Sequence, residues 1–265
     1  MEIVILENSD AVAIEGAARI RRLLEDKPDA VLGLATGSTP LAMYRRLVAD
    51  FRQGLVSFAG VTTFNLDEYV GLRADDPQSY SSYMSRELFD HIDIDRGRTH
   101  LPLCEPGTDP ATVGPCYEES IRAAGGIDLQ VLGVGQNGHI GFNEPASSLG
   151  SRTRVKTLTP ETLHSNSRYF DDPAEQPELA VTMGIATIRS ASRVMLLATG
   201  SRKAAAVRQL VEGPVSAMWP ATALQLHERV AVLIDNEAAA GLERRDYYDW
   251  VNRKQRQLLL RYGES

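Results

Sequence analysis

Six short apolar runs, rich in β-branched residues, recur along the chain: Ile3–Leu6, Ala30–Ala35, Val61–Leu66, Leu129–Val134, Arg193–Ala198 and Val230–Ile234. A strand with one wet face alternates apolar and polar residues, whereas these runs are nearly continuous, so both of their faces must be covered. Between them lie stretches with a helical period: Ala11–Leu24, Leu41–Phe51, Tyr80–His91, Cys116–Ala124, Ser201–Val211 and a charged tail from Leu242. The alternation predicts an α/β chain: an open, doubly wound, mostly parallel sheet with helices on both faces, a Rossmann-like three-layer arrangement. No internal repeat or long Gly/Ser linker divides it, so residues 1–265 read as a single domain.

The remaining composition narrows the partners. Net charge is −7 and the isoelectric point is near 5.3, which argues against nucleic acid or an anionic membrane as a ligand. An anionic substrate then needs a local cluster of cations and amides. Cys104 and Cys116 are too few for a disulfide framework, which suits a reducing, cytoplasmic setting. The N-terminus, Met1-Glu2-Ile3-Val4-Ile5-Leu6-Glu7, is acidic and strand-like rather than a secretory leader, and no apolar run approaches a bilayer span.

In an open parallel sheet, ligands bind beyond the carboxyl ends of the strands, so the residues that follow each strand test for a site. Ala30–Ala35 is followed by Thr36-Gly37-Ser38-Thr39-Pro40 and a helix. Gly37 frees the backbone, Ser38 and Thr39 offer hydroxyls and an N-cap, and Pro40 suits a first turn, which together would favour a phosphate. An ordinary capped turn reads the same way, and the P-loop spacing is missing. Val61–Leu66 leads into Asp67 and Glu68, only one of which is expected to face a ligand. Arg193–Ala198 leads into Thr199-Gly200-Ser201-Arg202-Lys203, where Lys203 could close over an anion.

Leu129–Val134 runs into the densest loop, Gly133 to Pro145, with four glycines, His139, Glu144, Asn137 and Asn143. Histidine and a carboxylate are proton-handling groups that a simple connection does not need. No second His or Cys stands at a ligand spacing, so no metal site is expected. No helix-compatible segment follows the glycines, which removes a dinucleotide fingerprint, and no G-x-S-x-G elbow is present. The stretch from Ser151 to Pro177 breaks the alternation: it is basic at Arg152, Arg154, Lys156 and Arg168, then acidic at Asp171, Asp172 and Glu175. It reads as a surface excursion or a candidate lid over about 151–177.

Taken together, Leu32 to Pro40, Thr63 to Leu72 (with Phe64-Asn65-Leu66-Asp67-Glu68-Tyr69 inside it), Gly133 to Leu149, Ser151 to Thr159 and Gly200 to Ala204 resemble the glucosamine-6-phosphate deaminase family. The resemblance runs from about Ala30 to Asp235. It implies conversion of glucosamine 6-phosphate and water to fructose 6-phosphate and ammonia, in amino-sugar catabolism and with no cofactor. Asp67 would remove the C2 proton. His139, positioned and polarised by Asn137 and Glu144, would shuttle a proton to the ring oxygen. Asn137 stands where some members carry Asp, so its part is one of orientation. Phosphate would be held by Gly37, Ser38, Thr39, Arg168 and Lys203.

Some members are hexamers activated by N-acetylglucosamine 6-phosphate at a subunit interface. Ser147, Arg154, Lys156 and Thr157 match that effector site, and a homo-oligomer is the expectation. The aromatic residue of that site has no clean counterpart near Asp246-Tyr247-Tyr248-Asp249-Trp250. Two alternatives share the fold: a 6-phosphogluconolactonase-like hydrolase, and a non-catalytic sugar-phosphate sensor. Asp67 and the intact Asn137-to-Pro145 run favour the deaminase, and the lack of a basic DNA-binding extension disfavours the sensor.

Overall fold

The run Val31-Leu32-Gly33-Leu34 is buried at every position, and it forms an interior strand of a parallel sheet, paired on both edges. The computed structural model describes residues 1–167, 170 and 176–262. Its main sheet has seven strands: β1 (Glu2–Leu6), β2 (Val31–Leu34), β3 (Thr62–Asn65), β5 (Thr99–His100), β6 (Leu129–Leu132), β9 (Val194–Ala198) and β10 (Val230–Asp235). Their spatial order is β1-β10-β9-β6-β2-β3-β5, and every pairing is parallel.

Side chains alternate between two apolar layers. Leu32 and Leu34 pack with Val12, Ile20, Met43 and Leu47 of α1 (Ser9–Asp26) and α2 (Ser38–Arg52), and with Met84 of α3 (Tyr80–Glu87). Val31 and Ala35 pack on the opposite face, in the cluster that holds Tyr117 and Ile121 of α4 (Pro110–Ala123), Ile188 of α6 (Ile185–Arg189) and Val207 and Leu210 of α7 (Ala204–Glu212). The doubly wound expectation is therefore met. The chain winds from β2 outward through β3 to β5, then returns to β6 and winds the other way through β9 to β10. Its direction reverses between β2 and β6, and that junction is where a crevice opens at the carboxyl edge.

A second sheet lies outside the expected alternation: β4 (Asp67–Tyr69), β8 (Leu179–Thr182) and β7 (Arg154–Thr157), antiparallel in the order β4-β8-β7. The run expected to end at Leu66 thus breaks there and resumes as β4, and Leu66 joins the two sheets by accepting from the Met183 N–H at 2.7 Å. β7 opens the expected excursion, and α5 (Pro160–Asn166) follows it. Half-buried Glu118 of α4 roots this segment. Its carboxylate accepts from the Thr153 N–H at 2.9 Å and from the hydroxyls of Thr153 and Thr187 at 2.5 Å.

Helix boundaries move for local reasons. α4 starts at Pro110, six residues before the expected Cys116, because Asp109 caps it by accepting from the Ala111 N–H and Pro110 needs no partner at the first position. The segment Tyr80–His91 ends its α-helix at Glu87 and continues as a 3₁₀ turn over Phe89–His91. The tail forms α8 (Arg245–Tyr262) and packs beside β1.

Candidate active site

Because all seven strands of the main sheet run parallel, the loops after β2, β3, β6 and β9 emerge at one edge. The turn after β2 begins α2. Gly37 occupies the N-cap position with φ +99°, a left-handed conformation that an L side chain resists, and it makes no side-chain cap. Ser38 and Thr39 are therefore the first two helical residues, not the cap that the sequence suggested. The consequence favours an anion: the first-turn amides of α2 receive no side-chain acceptor and remain free to bind one. The Tyr83 hydroxyl donates to the Gly37 carbonyl at 2.7 Å, which fixes the turn from α3.

Beyond β9, Lys203 ends a 3₁₀ turn over Ser201–Lys203. It is partly buried, and burial with Arg202 alongside lowers its pKa. Its ammonium has no acid or hydrogen-bond acceptor among the described residues, which leaves it available to an anion at this edge. Arg168, expected to join the phosphate site, lies outside the described residues, as do Asp171, Asp172 and Glu175 of the candidate lid.

Asp67 and Glu68 are both buried, and alternation along β4 separates their roles. Glu68 faces α3 and accepts from the amides of Tyr69 at 2.9 Å, Tyr80 at 3.0 Å and Ser81 at 2.9 Å. It anchors a helix start. Asp67 makes no such bonds. Burial, with the Glu68 charge second, pushes its carboxyl up to about 8. Neither carboxylate is solvated.

After β6, the loop brings three expected residues together. His139 Nδ1 stands 3.4 Å from Glu144 Oε2, a charge contact longer than a good hydrogen bond, and this buried nitrogen has no hydrogen-bond partner among the described residues. The Asn137 amide donates to the same Glu144 oxygen at 2.7 Å, and its carbonyl accepts from the His139 N–H at 3.2 Å. Asn137 thus holds the carboxylate and the histidine backbone, and the carboxylate that faces the ring is that of Glu144. The Thr162 hydroxyl, from α5, donates to Glu144 Oε1. Burial would raise the Glu144 pKa, but His139, Thr162 and Asn137 together hold it down to about 2.

Close packing fixes this loop against Asp67. A Cβ on Gly135 would stand 2.2 Å from His139 Cε1, so the ring rests on bare backbone. One on Gly141 would stand 2.8 Å from Thr182 Oγ1 and 3.3 Å from Asp67 Oδ2. The Thr182 hydroxyl accepts from the Phe142 N–H at 3.0 Å, and Thr182 pairs with Asp67 across β8 and β4. Asn143 is buried scaffold rather than chemistry. Its amide donates to the carbonyls of Ile140 and Met183, and its carbonyl accepts from Arg154 Nη1 at 2.8 Å. Thr162 and Thr182 were not singled out by the sequence pattern, because their partners are set by tertiary contact.

The expected effector residues divide. Arg154 and Lys156 share one face of β7, and Thr157 points the other way. Ser147 is buried, and its hydroxyl has no hydrogen-bond partner among the described residues. Among the described residues no group of His, Cys, Asp or Glu is placed to hold a metal ion, and no helix is long and apolar enough to cross a membrane.

Comparison with known proteins bears on this arrangement. The model of the family of glucosamine-6-phosphate isomerases and 6-phosphogluconolactonase matches residues 7–233. A glucosamine-6-phosphate deaminase of Hahella chejuensis is 57% identical over 251 residues, covering 95% of each chain. One of Shewanella woodyi is 52% identical over 267 residues, covering 100% of each. Among solved structures, a monomeric glucosamine-6-phosphate deaminase superposes with a TM-score of 0.88 at 45% identity, covering 91% of this chain and 100% of that one. A 6-phosphogluconolactonase of Trypanosoma brucei shares the fold, with a TM-score of 0.72 at 22% identity, covering 91% and 98%.

Proposed function

This chain belongs to the glucosamine-6-phosphate isomerase and 6-phosphogluconolactonase family, and within it we propose a glucosamine-6-phosphate deaminase that yields fructose 6-phosphate and ammonia. The observation that carries the choice of reaction is Asp67: a buried carboxyl with a raised pKa, held against the loop of the His139–Glu144 pair. A carboxylate at its ordinary pKa is a weak base for a carbon acid. Desolvation makes it a stronger one once it is ionised.

The steps follow from the groups present. The α2 amides beyond Gly37, the Ser38 and Thr39 hydroxyls, Lys203 and Arg168 hold the phosphate. His139 takes the proton of the anomeric hydroxyl and returns one to the ring oxygen as the C1–O5 bond breaks. Glu144 stabilises the imidazolium in between. Asp67 then removes the C2 proton to give an enolamine. Protonation at C1 gives a ketimine, and water adds at C2 to release ammonia. A lactonase would need no base at C2, so Asp67 favours the deaminase.

Two finer parts belong to the same reading. Activation by N-acetylglucosamine 6-phosphate at Ser147, Arg154, Lys156 and Thr157 is supported by the unpartnered, buried Ser147 hydroxyl. Assembly into a homo-oligomer, hexameric in some relatives, would complete that site. Rate curves that do not change with the effector remove the first, and a monomeric mass in solution removes the second. The central test is ammonia release from glucosamine 6-phosphate by the wild type and Asp67→Asn. No ammonia from the wild type, or hydrolysis of 6-phosphogluconolactone in its place, overturns the assignment.

A further inference from the structure

Glu144 receives hydrogen bonds from two directions, and only one lies in its own loop. Asn137 Nδ2 holds Oε2 from within the loop after β6. Oε1 is held by Thr162, a buried residue of α5, which follows β7 in the segment between Ser151 and Pro177. The direction of this second bond is determined. Thr159 caps α5: its hydroxyl oxygen accepts from the Thr162 N–H at 3.2 Å, and its proton is donated to the Thr162 hydroxyl, also at 3.2 Å. With that lone pair engaged, the single Thr162 proton points to the carboxylate. Chains of this kind polarise one another, so the terminal donor is strengthened.

We infer that Thr162 is a positioning residue for ring opening: α5, docked on the loop, delivers a hydroxyl that fixes the Glu144 carboxylate relative to His139. The inference rests on reading the His139–Glu144 pair as the ring-opening relay. With both oxygens held, Glu144 keeps Oε2 toward the imidazole. Without Thr162, the carboxylate can rotate about its terminal torsion, which has broad wells, and carry Oε2 out of its charge contact with Nδ1. Geometry supports the need for this constraint, since the Nδ1 contact is already 3.4 Å and has little reach to lose. The low pKa of Glu144, near 2, agrees with an ionised carboxylate served by several donors. α5 would thereby couple its own placement to the chemistry beneath it.

The test compares Thr162→Val, which keeps the shape and loses the hydroxyl, with Thr162→Ser, which keeps the hydroxyl. Ammonia release from glucosamine 6-phosphate gives kcat and KM. Inhibition by the acyclic 2-amino-2-deoxyglucitol 6-phosphate reports a site that needs no ring opening. The expected result for Thr162→Val is a kcat lower by about tenfold, the scale of one hydrogen bond to a charged group, with inhibitor affinity within about twofold. Thr162→Ser should restore most of the rate. An unchanged kcat in Thr162→Val overturns the inference, and so does a parallel loss of kcat and inhibitor affinity that Ser does not rescue, since that would mark a structural role. Glu144→Gln separates the two layers of argument. If it leaves kcat intact, the relay reading itself fails. If it abolishes activity while Thr162→Val is silent, only the role of Thr162 fails.

Discussion

Replacing Asp67 by Asn should abolish deamination and make the protein more stable, and the second effect has a defined pH signature. The carboxyl titrates at an ordinary 3.8 when unfolded, and burial raises it to about 8 in the folded chain. A raised folded pKa means that the neutral form is the one the fold prefers. Stability from this group is therefore complete below about pH 4, declines as pH rises, and is lost by about pH 8. At pH 7 about three pKa units separate the unfolded value from the solution, which at 1.36 kcal/mol per unit is about 4 kcal/mol of cost. The asparagine amide must be desolvated too, which takes back about 1–2 kcal/mol. The net gain of about 2–3 kcal/mol corresponds to about 5–10 °C in Tm for a chain of this size. Thermal unfolding of both proteins at pH 4, 6 and 8 measures it. Asp67→Asn should be less stable than the parent at pH 4, by the amide's about 1–2 kcal/mol, and should overtake it as pH rises toward 8. A variant no more stable than the parent at pH 8, or a difference that does not change with pH, refutes the desolvated-base argument. In the parent enzyme the same titration predicts that kcat/KM falls about tenfold per pH unit below about pH 8, where Asp67 becomes protonated.

Three further perturbations follow from the same geometry. In Gly135→Ala the new methyl meets His139 Cε1 at 2.2 Å, so the ring must leave its seat; kcat for ammonia release should fall about 10²-fold while KM moves little. Asn137→Asp puts a second carboxylate where an amide now donates over 2.7 Å to Glu144. The two carboxyls then share a proton as pH falls, so the acidic limb of the kcat profile should move to higher pH, while kcat above that limb is retained, as in family members expected to carry Asp here. Lys203→Ala removes a half-buried ammonium from the phosphate edge; KM for glucosamine 6-phosphate should rise at least about tenfold and competition by inorganic phosphate should weaken, with kcat affected less.

What the sequence disclosed, and what it did not, divides along a physical line. The strands of the main sheet were legible because a parallel strand covered on both faces is a continuous apolar run, and β2 is buried at all of its positions. The loops after them were legible because reactive side chains gather at strand ends in such sheets. The second sheet was not. Its β4 reads Asp67-Glu68-Tyr69, two carboxylates in a row, and only the folded chain shows that three amides satisfy Glu68 while Asp67 is left without them. β5 escaped for a simpler reason, since two residues carry no periodicity. Thr162 is the instructive case. Thr159-Pro160-Glu161-Thr162 carries a local signal for a helix start, so α5 could have been read from it. Its contact with Glu144, 18 residues away, depends on how α5 lies over the loop, and no local pattern encodes that.

On the proposed reading, the reversal in the winding lets the two proton-transfer steps be tuned separately. β2 and β3, on one winding, supply the phosphate turn and the chain that leads into Asp67. β6, which starts the opposite winding, supplies His139 and Glu144. The environments differ accordingly: Asp67 is stripped of donors and held high, whereas Glu144 is crowded with donors and held low. Two carboxyls pushed in opposite directions within one crevice can act as a strong base and a fixed anion at the same pH. They are kept in register by contacts across the junction, with Gly141 against Asp67 Oδ2 and the Thr182 hydroxyl on the Phe142 amide. The bare backbone at Gly141 is what allows the relay loop to lie this close to the base, since any side chain there would part the two windings at the point where their chemistry must meet.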